Sequence, residues 1–171
     1  MREGEIMDLA TEGAAPPSPV IVARRYHDFS CGHRVHGHES KCAHLHGHNY
    51  RVTFTLQAPK LDSVGRVLDF SAIKDYLCEW LEQNWDHKFL AWAQDTYMGD
   101  LLDAFHNGAY AGSEAARMFE NSLVLVPFNP TAENMALYLL EVVAPQLLPD
   151  HCKLIHVRVE ETRKCAAEVY L

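Results

Sequence analysis

Two histidines one residue apart, in the tripeptide His46-Gly47-His48, are the side chains best placed for chemistry in this 171-residue sequence. On an extended strand, residues i and i+2 leave the same face, so two imidazoles can converge on one cation with bonds of about 2.0–2.1 Å. His33, at the end of a preceding β-prone run, supplies a third nitrogen. Three histidines leave one position open for water or substrate, the mark of a catalytic rather than a structural ion, and zinc suits that ligand set. The similar tripeptide His36-Gly37-His38 lies in a polar stretch with no apolar alternation after it and reads as loop. Cys31 and Cys42 do not join His46 and His48 as a zinc finger, because finger histidines stand three to five residues apart. His38-Glu39 lacks the second histidine of a metalloprotease helix, since position 42 is cysteine.

Three further features carry chemistry. Cys42 precedes His46 by four residues, beside Lys41, so its thiol can ionise near a dication and act as a base; the plainer reading is a small buried thiol. Asp86-His87 sets a carboxylate beside an imidazole, where it can raise the ring's basicity, although a solvated surface pair is the commoner outcome. Glu161 falls on an apolar strand face, where a carboxylate is costly unless it meets donors or a cation. A ligand offering paired N–H groups would satisfy it.

The elements that must position these groups follow from periodicity. Val20 to Phe29 is β-prone, with Phe29, Cys31 and His33 on one face if the strand continues. His46, His48, Tyr50, Val52, Phe54 and Leu56 alternate strictly, so the two histidines extend a core face while Arg51, Thr53, Thr55 and Gln57 point outward. Asp69 N-caps a helix carrying Phe70, Ile73, Tyr76, Leu77, Trp80 and Leu81 at helical spacing. A second helix opens at Pro130-Thr131-Ala132-Glu133-Asn134, with Thr131 as N-cap and Glu133 in the first turn, and runs to about Pro145. Two strands close the chain, with Ile155, Val157, Val159 and Glu161 sharing one face and Ala167, Val169 and Leu171 another. The order ββααββ predicts an α+β domain, an antiparallel four-stranded sheet with two helices on one face. Residues 91–127 are an insertion between the helices that periodicity does not resolve, and residues 1–19, with three prolines, read as a flexible tail before a single domain over 20–171.

Composition narrows the classes. A formal charge of -8 argues against a general nucleic-acid surface, which needs clustered Lys and Arg. No apolar run approaches the roughly 18–20 residues of a membrane span. Five cysteines form no dense framework, so a reducing cytoplasm is expected. Seven of the eleven histidines crowd between His27 and His48, which directs attention there.

Taken together, these residues resemble the family of 6-pyruvoyl-tetrahydropterin synthase and bacterial 6-carboxy-tetrahydropterin synthase. The resemblance is carried, in order, by Phe29 to His33, Cys42-Ala-His-Leu-His46-Gly-His48-Asn-Tyr50, Val67-Leu-Asp69-Phe70, Asp86-His87, Pro130-Thr-Ala-Glu-Asn134 and Glu160-Glu161-Thr162. It implies a tunnelling fold whose subunits join sheets into a barrel, with sites at subunit interfaces in a homo-oligomer, a hexamer. It implies one zinc ion on His33, His46 and His48, Cys42 as base, His87 as its proton relay backed by Asp86, Glu161 gripping the pterin, and Thr131 and Glu133 near that pocket. Three residues between Cys42 and His46 are similar to the carboxy branch, which implies conversion of 7,8-dihydroneopterin triphosphate to 6-carboxy-tetrahydropterin, triphosphate and acetaldehyde on the way to queuosine. Two alternatives stay open: the 6-pyruvoyl product without carbon–carbon cleavage, and a non-catalytic metal- or pterin-binding module. Ser30-Cys31-Gly32 and the length of residues 91–127 depart from the family pattern.

Overall fold

The computed structural model describes residues 19–171; the flexible tail expected over residues 1–19 lies, but for Pro19, outside them. Strand β1 (Ala23–His33) pairs antiparallel with β2 (His46–Gln57), and β2 with β5 (Lys153–Thr162), which pairs with β6 (Cys165–Tyr170). This is the expected four-stranded antiparallel sheet. β1 begins later than the β-prone run suggests and continues through His33, which its alternation with buried Phe29 and Cys31 requires.

The sheet is larger than four strands, and this corrects the reading of residues 91–127. β3 (Phe89–Trp92) runs parallel to the end of β1, and β4 (Leu123–Val126) parallel to β3, giving the order β4-β3-β1-β2-β5-β6. Parallel neighbours need a long crossover. Here it consists of helices α2 (Thr96–Asn107) and α3 (Glu114–Ser122), whose Phe105 and Phe119 rings stack at 4.4 Å. The short run Leu123–Val126 gave no periodic signal because a four-residue strand is too brief to show one.

Helix α1 spans residues 70–84 and α4 spans residues 132–147. Asp69 caps the first through the Ser71 amide at 2.8 Å, and the Thr131 hydroxyl caps the second through the Asn134 amide at 3.3 Å. Both contain a π-helical turn, Lys74–Cys78 and Leu139–Val143. The wider turn keeps residues four apart in line. Ile73, Leu77, Leu81 and Trp85 are therefore all buried, whereas Phe70 and Tyr76, expected on the apolar stripe, are exposed.

The helices bury these side chains against Tyr50, Val52, Phe54, Val157 and Val159 in one core. Burial of each such side chain is worth about 1.5–3 kcal/mol. An aromatic group of Trp80, Trp85, Phe128 and Tyr138 locks α1 to α4. In β5 a bulge opposite Thr55 and Leu56 puts Leu154 in the core in place of Ile155, and Leu171 lies beyond β6, exposed. On the opposite face Arg51 binds Asp28 twice at 2.7 Å, while Thr55, expected outward, is covered by His156 at 3.2 Å.

Asp95 ties the crossover to the rest of the domain. Its buried carboxylate pairs with Arg34 and takes the Tyr97 amide at 3.0 Å, so it caps α2 and neutralises a guanidinium at once. Removing one partner strands the other charge, so Asp95→Ala should lower stability by about 3–5 kcal/mol in urea unfolding. A loss below about 1 kcal/mol would mean that the pair does not fasten the insertion.

Candidate metal and catalytic centre

Antiparallel register decides which side chains meet. His33 lies opposite His46 and Cys31 opposite His48, so the ends of β1 and β2 bring three imidazoles to one face. Gly32 faces Gly47 between them, and the strands approach so closely that a Cβ on Gly47 would stand 2.9 Å from the Cys31 carbonyl oxygen. One on Gly32 would meet the Phe89 ring at 2.5 Å. The glycine between the two histidines is thus a packing requirement. The ligand atoms of His33, His46 and His48 lie within 4.8 Å of one another.

The outward nitrogens are fixed by backbone carbonyls. Nδ1 of His33 donates to the Pro130 carbonyl at 2.7 Å, and Nδ1 of His46 donates to that of His44 at 2.8 Å. A carbonyl only accepts, so each ring keeps its Nε2 lone pair for the centre, the usual support for a metal-binding histidine. Nε2 of His46 and of His48 are buried and have no hydrogen-bond partner among the described residues. Orphaned buried acceptors are costly, and a bound cation removes the cost. The residues present therefore fit a divalent metal. Burial pushes the pKa of His33 and of His48 below 6.5, which favours the neutral rings that a metal needs, although Glu161 pulls the other way.

Glu161 reaches this cluster from the end of β5. Its Oε1 lies 3.3 Å from Nε2 of His33 and 3.5 Å from Nε2 of His48. Tyr50, wholly buried, directs its hydroxyl at His33 Nε2 (3.1 Å) and at Glu161 (3.5 Å). Burial pushes the Tyr50 phenol far up, with nearby Cys31, Glu161 and Cys42 adding to the shift, so it is a proton donor throughout the physiological range. Burial likewise drives Cys31 to about 12, a packed thiol rather than a nucleophile. Sequence reasoning placed Tyr50 only in the core. Its position two residues beyond His48 on the same face was the signal that it also touches the site.

Asp86 and His87 follow Trp85, which anchors the end of α1 in the core. Asp86 accepts from the Ser30 amide at 2.9 Å, and its other oxygen lies 2.8 Å from His87 Nδ1. Burial opposes ionisation of Asp86, but the Ser30 and His87 bonds outweigh it and hold the carboxyl below its usual range. His87 has φ of 56°, rare for a residue with a side chain, and its amide is held by the Ser30 carbonyl at 2.7 Å. The imidazole is 84 % exposed and borders the cleft that also contains His46, His48 and Lys88.

Cys42 sits in a short 3₁₀ turn (Lys41–Ala43) and is half-buried. Its carbonyl accepts from the Val35 amide at 2.8 Å, and that of Ala43 accepts from Arg34 Nε at 2.9 Å. Among the described residues no hydrogen bond joins Cys42 to His87, and Cys42 does not line the clefts that His87 borders. Thr131 acts as the α4 cap, and Glu133 stands exposed in the first turn. The contribution of the 129–134 segment is the Pro130 carbonyl, held in place by Asn129, which binds the His36 backbone at both ends of its amide (2.9 and 2.8 Å).

The depressed histidine pKa values have a defined sign. Unfolded, these rings would titrate near 6.5, so below that pH the unfolded chain binds more protons and the folded form loses stability. Metal-free protein should melt at a constant temperature between about pH 7 and 8 and progressively lower as pH falls below about 6.5. A melting temperature unchanged down to pH 5.5 would contradict the burial of neutral imidazoles.

A profile of the family described as 6-pyruvoyl tetrahydropterin synthase matches residues 22–171. The 6-carboxy-5,6,7,8-tetrahydropterin synthase of Rickettsia typhi is 34% identical over 151 residues, covering 88% of this chain and 100% of that protein. That of Rickettsia bellii is 32% identical with the same coverage. Among solved structures, an uncharacterized protein of Wolinella succinogenes aligns with TM-score 0.79 at 27% identity, over 90% of this chain and 99% of that one. The 6-pyruvoyl tetrahydropterin synthase of Caenorhabditis elegans aligns with TM-score 0.57 at 20% identity, over 90% and 96%, a likeness of fold that carries the tunnelling-fold architecture. With three histidines set on a hairpin of that fold and a match over nearly its whole described length, the chain belongs to the 6-pyruvoyl tetrahydropterin synthase family and is an enzyme of the tetrahydropterin-synthase type.

Proposed function

We propose that this enzyme is a zinc-dependent 6-carboxy-tetrahydropterin synthase, acting on 7,8-dihydroneopterin triphosphate and releasing triphosphate and acetaldehyde, for queuosine or related 7-deazapurine synthesis. The observation that carries the reading is the convergence of three imidazoles, two with Nε2 lacking a hydrogen bond among the described residues, beside a carboxylate and an Asp–His pair in adjoining clefts. The Rickettsia relatives named for the carboxy product support that branch over the pyruvoyl one.

In this reading His33, His46 and His48 hold the ion. Zinc, when bound, supplies a Lewis acid that makes the carbinol protons of the substrate side chain more acidic. Cys42 accepts a proton at Sγ. His87 keeps Nδ1 toward Asp86 and exchanges protons at Nε2, which its exposure leaves free. Glu161 accepts the paired N–H groups of the pterin ring, with Thr131 and Glu133 beside the Pro130 carbonyl that fixes His33. Tyr50, beneath the cluster, excludes water and keeps one donor aimed at it.

The exposure of His87, in clefts that Cys42 does not line, supports a homo-oligomer in which neighbouring copies complete the site. The unpaired outer edges of β6 and, among the described residues, of most of β1 support assembly through the sheets. No helix among the described residues is long and apolar enough to cross a membrane, which accords with a cytoplasmic enzyme.

Incubation with 7,8-dihydroneopterin triphosphate, followed for acetaldehyde and for the pterin product, tests the reaction. Acetaldehyde in step with 6-carboxy-tetrahydropterin is expected; triphosphate release without acetaldehyde would assign the pyruvoyl reaction, and no triphosphate release a binding module. Cys42→Ala should cut turnover by about 10²- to 10⁴-fold with metal content intact, and undiminished turnover removes Cys42 as base. In His46→Ala or His48→Ala, bound zinc and activity should be lost together. Full zinc occupancy in either variant speaks against the site.

A further inference from the structure

We propose that Glu161 closes the metal site in the substrate-free enzyme, its Oε1 taking the fourth ligand position, and that binding of the pterin ring draws this carboxylate away and opens the ion. The proposal rests on the reading of His33, His46 and His48 as metal ligands.

Its basis is geometric. Bonds of 2.0–2.1 Å at tetrahedral angles put neighbouring ligand atoms about 3.3–3.4 Å apart. Glu161 Oε1 stands 3.3 Å from His33 Nε2 and 3.5 Å from His48 Nε2, close to the spacing of ligands on a common ion, while no such contact reaches His46. The bond from His33 Nδ1 to the Pro130 carbonyl fixes the ring with Nε2 turned to the carboxylate oxygen, where one cation can join the two. His48 Nε2, the other nitrogen it faces, has no hydrogen bond of its own.

Tyr50 fits the same arrangement. Its hydroxyl has one proton and two acceptors in reach, His33 Nε2 and Glu161 Oε1. Once the Nε2 lone pair is given to a metal, the proton can go only to Glu161, and the phenol becomes the outer support of a ligating carboxylate.

Glu161 can also leave. It lies at the irregular end of β5, where pairing with β6 shifts register between Glu160 and Thr162, and its side chain is 25 % exposed. It lines the cleft shared with Asp86, His87 and Arg163, so a swing toward solvent brings it to any ligand held there. A ring presenting paired N–H groups then competes with the ion for one carboxylate. Recognition of the pterin and exposure of the metal become one event.

The test uses the full chain loaded with cobalt(II) or zinc, and azide as the probe of an open position. In Glu161→Gln a chelator should remove zinc about tenfold or more readily than from wild type, and cobalt should take azide, read by its visible spectrum, at roughly tenfold lower concentration. Glu161→Asp keeps the charge but draws it back by one methylene, and should behave like the Gln form if ligation rather than charge is at work. Adding 7,8-dihydropterin, which has the ring donors without the side chain, should bring wild type to the azide sensitivity of the variants. Equal zinc retention and equal azide binding in wild type and Glu161→Gln overturns the proposal while leaving the three-histidine site standing. A wild-type chain that takes up no stoichiometric metal overturns both.

Discussion

Everything at the site depends on how closely β1 and β2 approach at Gly32 and Gly47. Without side chains there, the strands come so near that the Cys31 carbonyl oxygen lies 2.9 Å from where a Cβ on Gly47 would be. The antiparallel register then sets His33 against His46 and Cys31 against His48. A shift of one residue would send His46 and His48 to the opposite, polar face, so the register is guarded by the whole buried series Tyr50, Val52, Phe54 and Leu56 beyond them. Core packing and ligand geometry are two ends of one strand.

Around that hairpin, two of the three imidazoles are oriented by backbone carbonyls. The Pro130 carbonyl holds His33, the His44 carbonyl holds His46, and Asn129 steadies the loop that supplies the first of these. Such carbonyls are positioned by helix α4, which packs in the core, and by the 3₁₀ turn, which the Val35 amide ties to the chain leaving β1. The Asp–His pair is treated likewise: Trp85 fixes the end of α1, and Ser30 in β1 binds both the Asp86 carboxylate and the His87 amide. A positive φ at His87 is maintained because the two bonds from β1 leave it little choice.

Much of this was legible in the residues. The strict alternation from His46 to Leu56 gave β2 and its buried face, and the caps Asp69 and Thr131 gave the starts of both long helices, because these signals are local. What was hidden depends on contacts distant in sequence. Nothing near Arg34 foretells its pairing with Asp95, sixty-one residues on, and four-residue strands such as Phe89–Trp92 carry too few side chains to show a period. The π-turns were hidden for a different reason: they shift the helix phase, so Tyr76 matched a regular stripe that the real helix does not present. Glu161 was recognised as a carboxylate out of place, but its nearness to the imidazoles followed only from the pairing of β5 with β2.

The Arg34–Asp95 pair gives the crossover helices a significance beyond filling the sheet edge. Arg34 adjoins the ligand His33, grips the Ala43 carbonyl next to Cys42, stacks on Tyr97 at 4.8 Å, and spends its charge on the cap of α2. A segment that contributes no reacting group is thereby mechanically in series with the metal hairpin and the thiol turn. Changes in the length or packing of α2 and α3 therefore bear on the placement of His33 and Cys42 without altering the three histidines themselves.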